Sequence, residues 1–76
     1  MKLPVLSGKE MVKILCNHFG FKVLDQRGSH IILYAERGGL KYKPVVPRHP
    51  ELAKGTLLSI LKQAGLNRDD IEKALK

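Results

Sequence analysis

The sequence predicts an α+β domain in which helices cover one face of a three-stranded antiparallel sheet. Apolar residues recur at helical spacing near both ends of the chain. Between them lie shorter segments rich in β-branched and aromatic residues, separated by glycines. The predicted order is α-β-β-β-α followed by a short C-terminal helix, within a single domain over residues 1–76. Helices flanking one antiparallel sheet should cover a single face, which leaves the other face open.

The first helix is expected over about residues 8–19, after an extended lead-in over residues 3–6 that contains a proline. Ser7 and Glu10 have the spacing of a capping box, in which each side chain accepts a hydrogen bond from the other residue's backbone N–H. Gly20 then supplies a left-handed stop. The stripe of this helix consists of Met11, Ile14, Leu15 and His18, with Val12 and Phe19 at its edges.

Three strands are predicted between the two main helices. Gly28 turns the chain after the first strand, and Gly38-Gly39 is a hairpin signal because both central positions of a tight turn then adopt positive φ. Pro44 lacks an N–H, so the third strand is expected to be an edge strand or to contain a bulge. The strands are expected over residues 21–27, 29–36 and about 41–46.

The second strand shows the clearest division into two faces. Ile31, Leu33 and Ala35 are uniformly apolar and are assigned to the core. That assignment leaves His30 and Tyr34 on the open face. In the first strand each alternating set mixes apolar and polar side chains, so its faces are not clearly assigned.

A second main helix is expected over about residues 52–64, with Gly65 as its stop. Asn67 caps a short last helix, and acidic residues in its first turn suit the helix dipole. The second helix should bury Leu57, Ile60, Leu61 and Ala64, and the last helix should contact the core through Ile71, Ala74 and Leu75.

The charge balance points to a polyanionic partner. The chain contains 14 Lys and Arg against seven Asp and Glu, a net charge of +7. Residues 1–27 contain five basic and two acidic side chains, residues 28–50 contain four and one, and residues 51–76 contain five and four. Nucleic acid is the commonest polyanion, although an acidic protein or a membrane surface also fits.

The single cysteine, Cys16, has no partner for an internal disulfide, which predicts a reducing, cytoplasmic location. It falls within the first helix and is expected to be a small core residue rather than a nucleophile. The opening residues lack a signal-peptide pattern, and no apolar run reaches membrane-spanning length, so no membrane partner is expected.

The three histidines, His18, His30 and His49, are far apart in sequence and show no metal-ligand spacing. No zinc site and no cofactor is therefore predicted. Ser29 beside His30 does not form a nucleophile elbow, and no carboxylate is placed to orient the histidine, which argues against peptidase or esterase chemistry. His18 lies in the last turn of the first helix, where the dipole favours a cation, so its expected role is structural.

An α-β-β-β-α frame with a basic surface is the general plan of double-stranded RNA-binding domains. Within that frame, six short motifs stand in the same order as in the HicA toxins, and the resemblance covers nearly the whole chain. Each motif alone is weak, whereas the ordered set is specific. The motifs are Leu6-Ser7-Gly8-Lys9-Glu10, Gly20-Phe21, Gly28-Ser29-His30, Val46-Pro47-Arg48-His49, Lys54-Gly55-Thr56-Leu57 and Ser59-Ile60-Leu61-Lys62-Gln63-Ala64-Gly65-Leu66.

The resemblance to HicA toxins implies a double-stranded RNA-binding fold, cleavage of messenger RNA and control by a HicB-type antitoxin. The family's catalytic histidine belongs to a Gly-Ser-His motif, which corresponds to His30 in this chain. Many relatives have a second histidine directly after it, where this chain has Ile31. This difference matters more if the second histidine assists the chemistry than if the first acts alone.

The expected chemistry is metal-independent cleavage of mRNA, with His30 as the acid/base group. RNA supplies its own nucleophile, the 2′-hydroxyl, and an imidazole of near-neutral pKa exchanges a proton with it or with the leaving oxygen. Nearby Lys or Arg side chains stabilise the extra charge on phosphorus. His49 is a candidate second acid/base group. Contacts to RNA are expected from Arg27, Ser29, Lys41, Lys43, Arg48 and Lys54.

Three other interpretations fit parts of the sequence. The chain could be a non-catalytic RNA-binding module, an adaptor for an acidic protein, or a fold in which His30 is an ordinary half-buried strand residue. A strong salt dependence of RNA binding favours either RNA interpretation over the adaptor. Cleavage of RNA by the pure protein separates the enzyme from the binding module.

Overall fold

The computed structural model describes residues 5–75, so the lead-in expected over residues 3–6 lies partly outside the described residues. The α+β fold class and the α-β-β-β-α frame are confirmed, with the third strand divided in two. Within residues 5–75, no helix has the length and apolar character needed to cross a membrane. The elements are α1 (Gly8–Phe19), β1 (Lys22–Arg27), β2 (His30–Arg37), β3 (Leu40–Tyr42), β4 (Val45–Pro47), α2 (Lys54–Gln63) and α3 (Arg68–Ala74).

Helix α1 begins and ends at the predicted residues. The Ser7 Oγ accepts a hydrogen bond from the Glu10 N–H, and the Glu10 Oε1 accepts one from the Ser7 N–H, both at 3.0 Å. Gly20 ends the helix in the left-handed region, with φ 71°. Met11 and Leu15 are fully buried, whereas His18 is exposed beyond the edge of the stripe.

Strand β2 is the centre of the sheet. It pairs with β1 along one side, while β4 pairs with its first half and β3 with its second half on the other side. The third strand lies at the edge of the sheet, as Pro44 predicted, and is interrupted at Lys43 and Pro44. The Leu33 N–H donates to the Pro44 carbonyl at 3.0 Å, so this edge stays attached to β2 across the interruption.

Two tight turns set the register of β2. Gly28 has φ 58° and Ser29 does not have positive φ, as in a type II′ turn with glycine first. Gly38 and Gly39 have φ 56° and 81°, which matches a type I′ turn and confirms the predicted hairpin. The first of these turns brings the end of β1 directly opposite the start of β2.

Strand β1 contains a bulge that explains its mixed sequence pattern. Val23 pairs with Leu33, but the next paired residue is Asp25, opposite Ile32, so Leu24 is an extra residue. Residues before and after the bulge therefore follow opposite alternations between the two faces. All six residues of β1 are exposed, because the helices contact the β2–β4 side of the sheet instead.

The core lies between the helices and one face of the sheet. The assignments of Ile31, Leu33 and Ala35 to this face are confirmed by their burial. Cys16 is half-buried against the core, and desolvation raises the pKa of its thiol. The buried apolar residues are Leu6, Met11, Leu15, Phe21, Ile31, Leu33, Ala35, Val46, Leu52, Leu57, Ile60, Leu61, Ala64 and Ile71.

Two predictions at the C-terminal helices require correction. Helix α2 begins at Lys54 rather than near Leu52, because the Leu52 N–H donates to the Leu6 carbonyl at 2.7 Å instead of entering the helix. Leu75 does not join the core: it follows the end of α3 and is 44% exposed, whereas Ile71 is fully buried.

Candidate active site at the start of strand β2

His30 is the first residue of β2, and its side chain is exposed on the open face of the sheet. The residues that follow it on β2 alternate between half-buried and buried positions, which anchors the strand. Within residues 5–75, the imidazole makes no hydrogen bond to another side chain or to the backbone. Both ring nitrogens are therefore available to a ligand, on a backbone fixed by the centre of the sheet.

Arg27 lies directly across the Gly28-Ser29 turn from His30. Directly opposed residues on antiparallel strands point to the same face, with Cβ atoms roughly 5 Å apart. The Arg27 Nε donates to Asp25 Oδ2 at 3.1 Å, and the Arg27 side chain remains 80% exposed. The site thus has an arginine at the strand position directly opposite the histidine.

Asp25 is fixed through both of its carboxylate oxygens. Oδ2 accepts the hydrogen bond from Arg27, and Oδ1 accepts one from the Gln26 N–H at 2.8 Å. These two hydrogen bonds, that from Arg27 first, hold the pKa of Asp25 below its ordinary value. The carboxylate is therefore charged through the neutral pH range.

The backbone of a second arginine lies beside the start of β2, on the side opposite β1. Pro47, the last residue of β4, pairs directly with His30, and Arg48 follows it. The Arg48 N–H donates to the Ser29 carbonyl at 2.6 Å, which holds the Arg48 backbone against the residue preceding His30. The Arg48 side chain is exposed.

The start of helix α1 packs directly against this connection. A Cβ at position 8 would overlap the carbonyl oxygen of Pro47, so only glycine permits the approach. The Gly8 N–H donates to the His49 carbonyl at 2.9 Å, which holds the segment after β4 at the helix N-terminus. The sequence predicted neither contact.

The other predicted site residues divide into near and far groups. His49 is two residues beyond the cross-strand partner of His30 and is exposed, so it belongs to the near group. Lys41 pairs with Glu36, six residues along β2 and therefore roughly 20 Å from His30. Lys43 lies in the break between β3 and β4, at an intermediate position along the same edge.

Lys54 is the first residue of α2, whose N-cap side chain makes no capping hydrogen bond. The Leu52 N–H to Leu6 carbonyl bond brings the segment before α2 close to the segment before α1. His18 lies at the far end of α1, where it borders a hollow of about 240 Å³ together with residues of α3. Among residues 5–75, no three His, Cys, Asp or Glu side chains gather as metal ligands.

Comparisons with known proteins identify the family of the chain. Searches of curated proteins and of solved structures gave no significant match. A family model described as the HicA toxin of bacterial toxin–antitoxin matches residues 8–66. The match includes α1, the whole sheet, α2 and the segments that surround His30. Because it spans most of the 76 residues, the chain belongs to the HicA toxin family of bacterial toxin–antitoxin systems.

Proposed function

We propose that the protein is the toxin ribonuclease of a toxin–antitoxin pair, which cleaves mRNA with His30 as the acid/base group. The observation that carries the proposal is the position of His30, exposed on the central strand, directly opposite Arg27 and beside the segment that contains Arg48. Arg27 lies opposite across the turn, and the Arg48 backbone is bound to the Ser29 carbonyl. A phosphodiester needs this combination of a proton acceptor and flanking positive charge.

In the proposed reaction, the 2′-hydroxyl of RNA attacks the adjacent phosphorus. The O2′–P bond forms and the P–O5′ bond breaks, which yields a 2′,3′-cyclic phosphate and a free 5′-hydroxyl. His30 accepts the proton of the 2′-hydroxyl, while Arg27 and Arg48 stabilise the charge that accumulates on the phosphoryl oxygens. No redox step and no cofactor enter this scheme.

The leaving O5′ also needs a proton. His49 is the candidate for this second role because it is exposed and its carbonyl is bound to the start of α1, close to the strand end that pairs with His30. Water is the alternative donor. A His49→Ala variant that retains part of the activity, with the alkaline limb of its pH profile altered, would support the role of His49.

Family membership implies an antitoxin partner, and we take this partner to be a HicB-like protein. The net charge of +7 favours an acidic partner surface, which would meet the same basic face that receives RNA. Direct occlusion of His30 is the expected mode of inhibition. A complex in which His30 stays exposed and RNA is cleaved at the full rate would contradict it.

The decisive experiment compares His30→Ala with His18→Ala. Both histidines are exposed, so neither substitution leaves a large cavity, and both variants should melt close to the wild-type temperature. His30→Ala should lose activity by about 10²- to 10⁴-fold, the usual contribution of a general acid or base, and should still bind RNA. His18→Ala should remain fully active and toxic.

Substrate and metal controls sharpen this test. Fully 2′-O-methylated RNA and DNA should bind through their phosphates yet stay intact, because their 2′ positions lack a nucleophile. Cleavage should continue in excess EDTA. If EDTA stops cleavage and Mg²⁺ or Mn²⁺ restores it, the metal-independent scheme is wrong. If pure protein binds RNA but never cleaves it, the chain is a binding module instead.

A further inference from the structure

The open face beside His30 contains a third charged residue that the mechanism above does not use. The Gly28-Ser29 turn pairs Arg27 directly with His30, and in the same register Asp25 pairs with Ile32. Residues two apart on a strand share a face, so Asp25 and Arg27 both lie on the face of His30. The bulge at Leu24 lies beyond Asp25 and leaves this end of the pairing unchanged.

The contact between Asp25 and Arg27 uses only one donor of the guanidinium. Asp25 Oδ2 accepts from Nε, and within residues 5–75 neither Nη atom makes a hydrogen bond. The guanidinium is planar, so a hydrogen bond at Nε restricts its orientation while leaving the terminal nitrogens for a phosphate. Because the second oxygen of Asp25 binds the Gln26 N–H, the carboxylate itself is also held in place.

We propose that Asp25 is a positioning residue, which orients the Arg27 guanidinium towards a phosphate at His30; this inference rests on the proposed ribonuclease function. The carboxylate has two opposite effects on the reaction. Its charge repels the polyanionic substrate, but its hydrogen bond orders an otherwise mobile arginine. Removal of Asp25 should therefore slow cleavage of bound RNA without weakening RNA binding.

The test measures binding and single-turnover cleavage of the same short RNA by full-length protein. Asp25→Ala should lower the cleavage rate at saturating RNA by roughly fivefold, the limit set by an exposed ion pair. Its dissociation constant for RNA should stay the same or decrease. Asp25→Asn keeps one of the two acceptor oxygens, so it can accept from Arg27 or from the Gln26 N–H but not from both, and it should recover at most part of the cleavage rate.

Asp69→Ala is the matched control for charge. Asp69 is an exposed acid in the first turn of α3, so its loss changes the net charge by the same amount without touching β1. It should leave the cleavage rate unchanged. Melting curves of all variants show whether a lower cleavage rate reflects unfolding. Asp25→Asn changes the side chain least, so it is the variant least expected to unfold.

A double-mutant cycle shows whether Asp25 acts through Arg27. In an Arg27→Ala background, Asp25→Ala should have no further effect on the cleavage rate. The inference is overturned if Asp25→Ala cleaves at the wild-type rate, or if it slows cleavage equally without Arg27. The proposed function fails separately, through inactive wild-type protein or a fully active His30→Ala variant.

Discussion

Two arginines of this protein end neighbouring strands just before glycine turns, yet their surroundings differ sharply. Arg27 ends β1, its side chain is 80% exposed, and only its Nε is bonded within the described residues. Arg37 ends β2 and is half-buried. Its Nη2 donates to the Ala64 carbonyl at 2.7 Å, and its guanidinium lies 5.1 Å from the ring centroid of Tyr42.

The difference shows which end of β2 is structural. Arg37 places a cation at the C-terminus of α2, where the helix dipole and the unpaired carbonyls favour it. Tyr42 packs beside it over Gly65, close enough that a Cβ at position 65 would lie 2.6 Å from the ring. The Arg37 guanidinium thus holds α2 against the sheet, whereas the Nη atoms of Arg27 remain available to a ligand.

The largest expected effect comes from Gly65→Ala at the structural end. Gly65 has φ 71°, so an alanine at this position would have an unfavourable left-handed backbone and would also displace Tyr42. The sum should be about 3 kcal/mol in the free energy of unfolding. Gly20→Ala is the control: it has the same φ, but within residues 5–75 nothing lies within 4 Å of its added Cβ. If urea titrations gave the same loss of unfolding free energy for Gly65→Ala and Gly20→Ala, the argument from Tyr42 packing would be contradicted.

Arg37→Ala should have the next largest effect. It removes a charge-assisted hydrogen bond and the packing against Tyr42, which together should lower the free energy of unfolding by about 2 kcal/mol. The buried Nε lacks a partner within the described residues, which reduces the loss. Activity per folded molecule should be unchanged. A variant of full stability but low activity would mean that the two ends are coupled.

Arg27→Ala should give the opposite result. Stability should change by less than about 0.5 kcal/mol because the side chain is exposed. The cleavage rate should fall about tenfold, since one stabilising contact to the phosphate is lost. Arg27→Lys keeps the charge but lacks the planar guanidinium, so it should restore RNA affinity more fully than the cleavage rate. Full recovery of the rate by lysine would indicate a simple electrostatic role.

The smallest expected effects are on RNA binding and concern Arg48 and Lys41, which lie at different distances from His30. Arg48→Ala should weaken RNA binding several-fold and reduce the slope of log affinity against log salt by about one. Lys41→Ala should change both less, because Lys41 lies opposite Glu36 at the far end of β2. Titrations of one RNA at several salt concentrations provide the comparison. Equal slopes would extend the RNA footprint along the whole strand.

Local signals explain why much of the fold could be predicted. The capping box at Ser7, the N-cap at Asn67 and the Gly38-Gly39 turn depend on residues close in sequence, and all three form as expected. The bulge at Leu24 could not be predicted, because it depends on how β1 matches a strand already fixed by the core. The start of α2 was misjudged because the Leu52 N–H binds a residue 46 positions earlier.

The candidate site was predicted as a set of residue types rather than as an arrangement. The exposed position of His30 followed from the apolar pattern of β2, and this part is confirmed. The grouping around it depends on register and long-range contacts, so the sequence could not show that Lys41 lies opposite Glu36, far along β2 from His30. The spacing of Asp25 and Arg27 on one strand was a usable signal for the ion pair, and the Gly28-Ser29 turn sets their face by pairing Arg27 with His30.

The contact of Gly8 with the segment after β4 has a consequence for how the protein is made. Ribosomes synthesise His30 before Pro47, its strand partner, and before His49, whose carbonyl binds Gly8. A nascent chain that ends before β4 therefore contains the histidine but neither the second arginine nor the contact that fixes it. If the proposed function holds, a growing chain becomes competent only after the segment through His49 has emerged from the ribosome and has packed against β2 and Gly8.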